Sequence, residues 1–123
     1  METERTPRKL LLVEDDAGIR EALVECLASI GAEVVAAVDG LDGLARLREG
    51  PPPCAILLDM RMPRLDGNGF LEEMRRDPRY AAVPVISMTA WKARPAQPVY
   101  RHLEKPFDLD EIASLLRQLC ATP

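Results

Sequence analysis

The chain has 123 residues, 47% of them apolar and 29% charged, with a net charge of −4. That length suits one domain over residues 1–123, and the balance is that of a globular core, neither disordered nor fibrous. The acidic charge without a basic run argues against direct nucleic-acid binding, and no apolar stretch nears the ~20 residues needed for membrane insertion.

The opening METERTPRK lacks the apolar core of a secretory signal. Cys26, Cys54 and Cys120 are far apart and odd in number, with no CxxC pair and a single His in the chain. They are expected to be reduced, mostly buried thiols of a cytoplasmic protein, forming neither a zinc site nor a disulfide framework.

Strand and helix signals alternate. A short apolar run near 9–13 predicts a first strand. Ile19, Leu23, Leu27 and Ile30 then recur at helical spacing near 17–30, with Asp16 to cap the start and Gly31 to close the end. A second strand near 33–37 precedes a helix near 41–49 that carries Leu41, Leu44 and Leu47 and stops at Gly50 and three prolines. The run CAILL near 54–58 is wholly apolar, as a central parallel strand should be. Asp66-Gly67 reads as a turn in which Gly67 supplies an unusual φ. Phe70, Leu71 and Met74 mark a helix near 68–76 that ends before Pro78. A fourth strand is expected near 83–87, with Pro84 removing one ladder donor. A weaker fifth strand near 99–103 precedes a last helix near 109–120, opened by Asp108 and Glu111 as a capping box. This alternation predicts an α/β fold, a flavodoxin-like doubly wound sheet of five parallel strands in the order 2-1-3-4-5.

In such sheets the ligand crevice lies beyond the C-terminal strand ends, at the point where strand order reverses. Strand one ends at Glu14, Asp15 and Asp16, and strand three at Asp59. Strand four runs out at Ser87-Met88-Thr89, and strand five is followed by Lys105. Carboxylates, a hydroxyl and an ammonium thus converge. Crowded carboxylates raise one another's pKa unless a cation intervenes. Asp16 is better used as a helix cap than as a ligand.

The motifs LLLVEDD, ILLDMRMPRLDG, VISMTA and EKPF, in this order, resemble the receiver domain of two-component response regulators over essentially the whole chain. The resemblance implies a phosphoryl-accepting Asp59, with a contacting hydroxyl at Thr89 and a cation at Lys105. It implies Mg²⁺ or another divalent ion held by Glu14, Asp15, Asp59 and the backbone carbonyl of Arg61. It implies a cis Lys105-Pro106 bond. The expected partners are a histidine kinase or phosphotransfer protein, docking near Ile19, Arg20, Pro106 and Phe107, and an output protein that the sequence does not name. Flavin binding is disfavoured because three acids after strand one would repel an FMN phosphate. An Asp-nucleophile phosphatase would want a second Asp two residues after the first, where Arg61 stands. The chain is therefore read as a phosphoryl acceptor with at most slow self-chemistry, not as an enzyme.

Two departures from the family pattern concern output. From Ala90 up to the strand start at Val99 there are only nine residues, two of them Pro95 and Pro98, so the fourth helix is expected to be missing or reduced to about one turn. That leaves part of strand five or its sheet face uncovered, with Trp91 either a partner contact or an edge cover. His102 stands where the family places a Tyr or Phe that moves with Thr89. It is either a partly exposed edge-strand histidine or a pH-sensitive switch. The alternative to a phosphorylation-dependent receiver is a phosphorylation-independent interaction module with an altered output face.

Overall fold

Five apolar runs, each too short for a helix, pair into one parallel sheet. In the computed structural model, which describes residues 8–89 and 95–120, the strands are β1 (Arg8–Val13), β2 (Ala32–Ala37), β3 (Ala55–Asp59), β4 (Val85–Thr89) and β5 (Arg101–Glu104). The helices among the described residues are α1 (Ala17–Ala28), α2 (Gly40–Leu47), α3 (Gly67–Arg75) and α4 (Leu109–Cys120). The strand order is β2-β1-β3-β4-β5, as the alternation of elements predicts.

Strand alternation divides the core into two layers. Leu10, Leu12, Leu57, Ile86, Met88 and Leu103 face Leu23 and Leu27 of α1 and Ile112, Leu115 and Leu116 of α4. Leu11, Val13, Ile56, Leu58 and Val85 face Leu44 and Leu47 of α2 and Phe70, Leu71 and Met74 of α3. Every residue of β3 and of β4 is buried, because helices or connecting chain cover both faces.

Several boundaries differ from the sequence expectation. Strand β4 begins two residues later, since Pro84 has no N–H for the ladder and only its carbonyl pairs, accepting from Ile56 N–H at 3.0 Å. The strand extends two residues further at its other end, which carries Thr89 into it. Strand β5 likewise starts at Arg101 instead of 99. Gly67 does not provide a turn with positive φ. It is the first residue of α3, capped by Asp66, and a Cβ there would lie 2.7 Å from the Met60 Cα. Among the described residues the positive φ values belong to Gly31, at 86°, and to Arg64, at 69°.

The segment linking β4 to β5 carries no helix over 95–100. Its remaining residues, 90–94 with Trp91, lie outside the described residues, and part of the expectation for the fourth helix falls there. The described part is fastened to α3: Arg75 Nη2 donates to the Pro98 carbonyl at 2.7 Å, and Ala96 N–H donates to Asn68 Oδ1 at 2.8 Å. Strand β5 is partly open to solvent, whereas β4 is not.

The cysteine expectation is corrected. Cys54, just before β3, and Cys120, the last residue of α4, form a disulfide with a Cα–Cα distance of 5.3 Å. Their 66-residue separation hid the contact. The last helix returns across the sheet, so its final turn lies beside the entrance of the central strand. Cys26 remains free. Closing a loop of this length stabilises by roughly 4 kcal/mol in chain-entropy terms. Thiol titration of denatured protein prepared without reductant should therefore find one reactive cysteine, and three after reduction, with a lower melting temperature in reductant. Three reactive thiols before reduction would contradict the pairing.

Candidate functional site

Beyond β1 the three acids take different tasks. Glu14 extends the strand, its N–H donating to the Ala37 carbonyl at 3.1 Å, and its side chain is fully buried. Asp15 is exposed at the rim. Asp16 caps α1, its Oδ1 accepting from Ile19 N–H at 3.0 Å, while its own N–H donates to Glu14 Oε2 at 3.1 Å. Arg20 pins this corner, donating from Nη1 to the Glu14 carbonyl at 2.9 Å and to the Asp15 carbonyl at 3.4 Å.

Asp59 closes β3, the strand next to β1, so the pairing that builds the sheet brings it beside Glu14. Carboxylate oxygens of Glu14, Asp15 and Asp59 all lie within 4.8 Å of one another. The Lys105 ammonium sits 3.2 Å from Glu14 Oε1 and 3.7 Å from Asp59 Oδ2. One ammonium does not balance three carboxylates. Burial, and then hydrogen bonding and repulsion from Glu14, push the Asp59 carboxyl up to about 8, against the opposing Arg61 N–H that donates to its Oδ1 at 3.1 Å. Lys105 is set by β4 and by its own chain: its N–H donates to the Thr89 carbonyl at 2.6 Å, and Lys105-Pro106 is cis. Thr89, fully buried, follows Met88, the register partner of Asp59. Asp15, Met60, Arg61, Met62, Pro63 and Asp66 line an open cleft of about 500 Å³ over this cluster. An all-oxygen donor set with uncompensated negative charge fits a hard divalent cation.

The other singled-out residues lie around this centre. Ile19, Pro106 and Phe107 line an apolar groove of about 500 Å³ between α1 and the β5–α4 loop, with Ala22, Leu23, Leu109 and Lys105. Arg20 is not among its lining residues and is engaged by the backbone behind the acids. His102 pairs across the sheet with Ser87, and its Nδ1 lies 2.6 Å from Ser87 Oγ in a hydrogen bond. Two further contacts lie outside the sequence expectation. One is the Arg20 tie to the acid corner. The other is a bidentate pair between Asp39 and Arg64, at 2.6 and 3.0 Å. The only hint was local: Asp39 stands where a helix cap belongs, and its Oδ1 accepts from Asp42 N–H at 2.8 Å.

The model of the response regulator receiver domain family matches residues 10–117. The chain belongs to that family. It is a signalling domain of two-component systems. Among curated relatives of this receiver domain, the response regulator Rre1 of Synechocystis is 32% identical over 94% of this chain and 52% of its own length. A probable transcriptional regulator, ycf27 of Guillardia theta, is 41% identical over 69% of this chain and 32% of its own. The chain thus spans about a third to a half of these relatives. Among solved structures, the receiver domain of sensor histidine kinase PA1611 from Pseudomonas aeruginosa, with magnesium coordinated in its active-site cleft, is 27% identical. It superimposes with a TM-score of 0.85 over 95% of this chain and all of that one.

The Asp59 shift fixes a pH dependence. A carboxyl whose folded pKa, about 8, exceeds its unfolded value of 3.8 adds stability below the unfolded value and loses it as pH rises through the folded one. With chelator present, the wild type should lose stability between pH about 4 and about 8, and Asp59→Asn should remove most of that loss. At pH 8 the variant should be more stable by about 1–2 kcal/mol, less than the full shift because Lys105 and water relax around the carboxylate. Melting curves that coincide across this range would contradict the assignment.

Proposed function

We propose that the chain is a phosphorylation-dependent receiver that accepts a phosphoryl group on Asp59 from a histidine kinase or phosphotransfer protein and thereby changes its binding to an output partner. The observation that carries this reading is the meeting of Asp59 with Glu14, Asp15 and Lys105 at the ends of different strands. An Asp59 carboxylate oxygen forms the O–P bond as the P–N bond to the donor imidazole breaks, and the imidazole leaves with a proton. Glu14, Asp15, Asp59 and the Arg61 carbonyl would hold Mg²⁺, which when bound supplies the positive charge that lets an anionic donor approach three carboxylates. Lys105 would turn its ammonium from Glu14 towards the new phosphoryl oxygens, and Thr89 would donate its hydroxyl to them. Asp59 is a stoichiometric acceptor in this reading, with at most slow self-phosphorylation and autodephosphorylation.

The donor's docking surface is read as the groove of Ile19, Pro106 and Phe107, apolar and open beside Lys105. Arg20 would act there by holding the acid corner rather than by touching the donor. Thr89 and His102 would carry the change outward, His102 through its bond to Ser87 and the short β4–β5 link. The receiver is read as binding proteins rather than DNA, in keeping with its net charge of −4. It is read as acting in the cytoplasm, and no described helix is long and apolar enough to cross a membrane. The β4–β5 link strapped to α3 favours one second reading, a phosphorylation-independent interaction module.

Incubation with acetyl phosphate and Mg²⁺ should add one phosphoryl group by intact mass, lost in Asp59→Asn and without Mg²⁺. Lys105→Ala should slow uptake by roughly 100-fold. No mass gain in the wild type, or an equal gain in Asp59→Asn, would overturn the reading. A partner captured equally by wild type and Asp59→Asn, with donor and Mg²⁺ present, would favour the second reading.

A further inference from the structure

The outer wall of the acidic cleft is the β3–α3 loop, and it is held in place from α2. Arg64, midway along that loop, donates from Nε to Asp39 Oδ2 at 2.6 Å and from Nη2 to Asp39 Oδ1 at 3.0 Å. Asp39 is only 5% exposed and caps α2 with the same carboxylate. A planar guanidinium meeting a carboxylate through two bonds fixes direction as well as distance. Arg64 holds a backbone φ of 69°, which residues with a Cβ rarely adopt. Beside it the loop backbone rests directly on the first turn of α2, where a Cβ on Gly40 would collide with the Leu65 carbonyl.

The loop is thus tied at three places. At its start Met60 N–H donates to the Met88 carbonyl at 2.9 Å and Arg61 N–H to Asp59 Oδ1 at 3.1 Å. At its end Asp66 caps α3 through Gly69 N–H at 2.8 Å. The tie in the middle is the Asp39–Arg64 pair, at the residue that directly follows the cleft-lining Arg61, Met62 and Pro63. Arg64 also holds the Asp39 carboxyl below its usual range, so the pair stays charged at neutral pH.

We propose that Asp39 and Arg64 are positioning residues for the phosphorylation site: their bidentate pair fixes the loop that presents the Arg61 carbonyl and the cleft wall to metal and phosphodonor. This rests on the reading of Asp59 as phosphoryl acceptor. Neither residue touches the reacting atoms.

Arg64→Gly deletes the guanidinium while easing the backbone at φ 69°, so it should fold. Arg64→Lys keeps the charge without the fork, and Asp39→Asn keeps a helix cap without the charge. Calorimetric titration of Mg²⁺ should give Arg64→Gly and Asp39→Asn an affinity roughly 10-fold weaker than wild type, with Arg64→Lys between. Phosphorylation by acetyl phosphate should slow at low Mg²⁺ and recover at high Mg²⁺. The double variant should be no weaker than either single one. Amide exchange at Leu65 and Gly67, whose N–H groups donate to the Pro63 and Met60 carbonyls, should quicken in Arg64→Gly without any Mg²⁺ present. Mg²⁺ affinity within about twofold of wild type, or unchanged exchange, overturns the positioning role. A wild type with no Mg²⁺ affinity and no phosphoryl uptake overturns the acceptor reading instead, whatever the exchange of the loop.

Discussion

Three carboxylates in one place, faced by one ammonium at 3.2 and 3.7 Å, are the constraint around which this molecule is arranged. Glu14 and Asp59 sit at the ends of adjacent parallel strands, so the pairing that builds the core also forces their charges together. Two apolar layers make that pairing rigid. The site cannot relax by letting the strands slip, because a shift of one residue would swap the side chains of a strand between the two core layers and undo both packings. The repulsion is instead met by Lys105, by the N–H groups of Asp16 and Arg61, and by a raised Asp59 pKa. A divalent cation answers the same need more fully.

Much of this was legible because it rests on local pattern. The all-apolar AILL before Asp59, the run of Leu10 to Val13 before Glu14, and the helical spacing of Ile19, Leu23 and Leu27 fix the elements, and strand order follows from right-handed crossovers. The ligand crevice then lies at the strand ends. Errors fell where a single residue sets a boundary. Pro84 accepts but does not donate, so β4 starts after it, and Thr89 enters the strand instead of following it. Gly67 is small because Met60 packs on it, not because its φ is unusual. The unusual φ falls on Arg64, a residue type that gives no warning of it.

Contacts between distant segments were not legible. Cys54 and Cys120 are 66 residues apart, and nothing in their neighbourhoods marks them as a pair. Asp39 and Arg64 are 25 residues apart and meet only because the β3–α3 loop folds back onto the start of α2, where they lie within 2.6 Å. Ser87 and His102 become neighbours only through the β4–β5 register, which sets the imidazole Nδ1 in hydrogen-bond contact with the Ser87 hydroxyl. The β4–β5 link adds two more such contacts, to Asn68 and Arg75 of the α3 helix, beside a β4 that stays buried.

The central claim is that the carboxylates of Glu14, Asp15 and Asp59 crowd together to hold one divalent cation. Crystals grown or soaked with Mn²⁺, with data collected at the manganese edge, test it directly. The account predicts one strong anomalous peak within coordination distance of oxygens from Glu14, Asp15 and Asp59, next to the Arg61 carbonyl. No peak there at saturating Mn²⁺, or an ammonium-bridged cluster that stays metal-free, would contradict it.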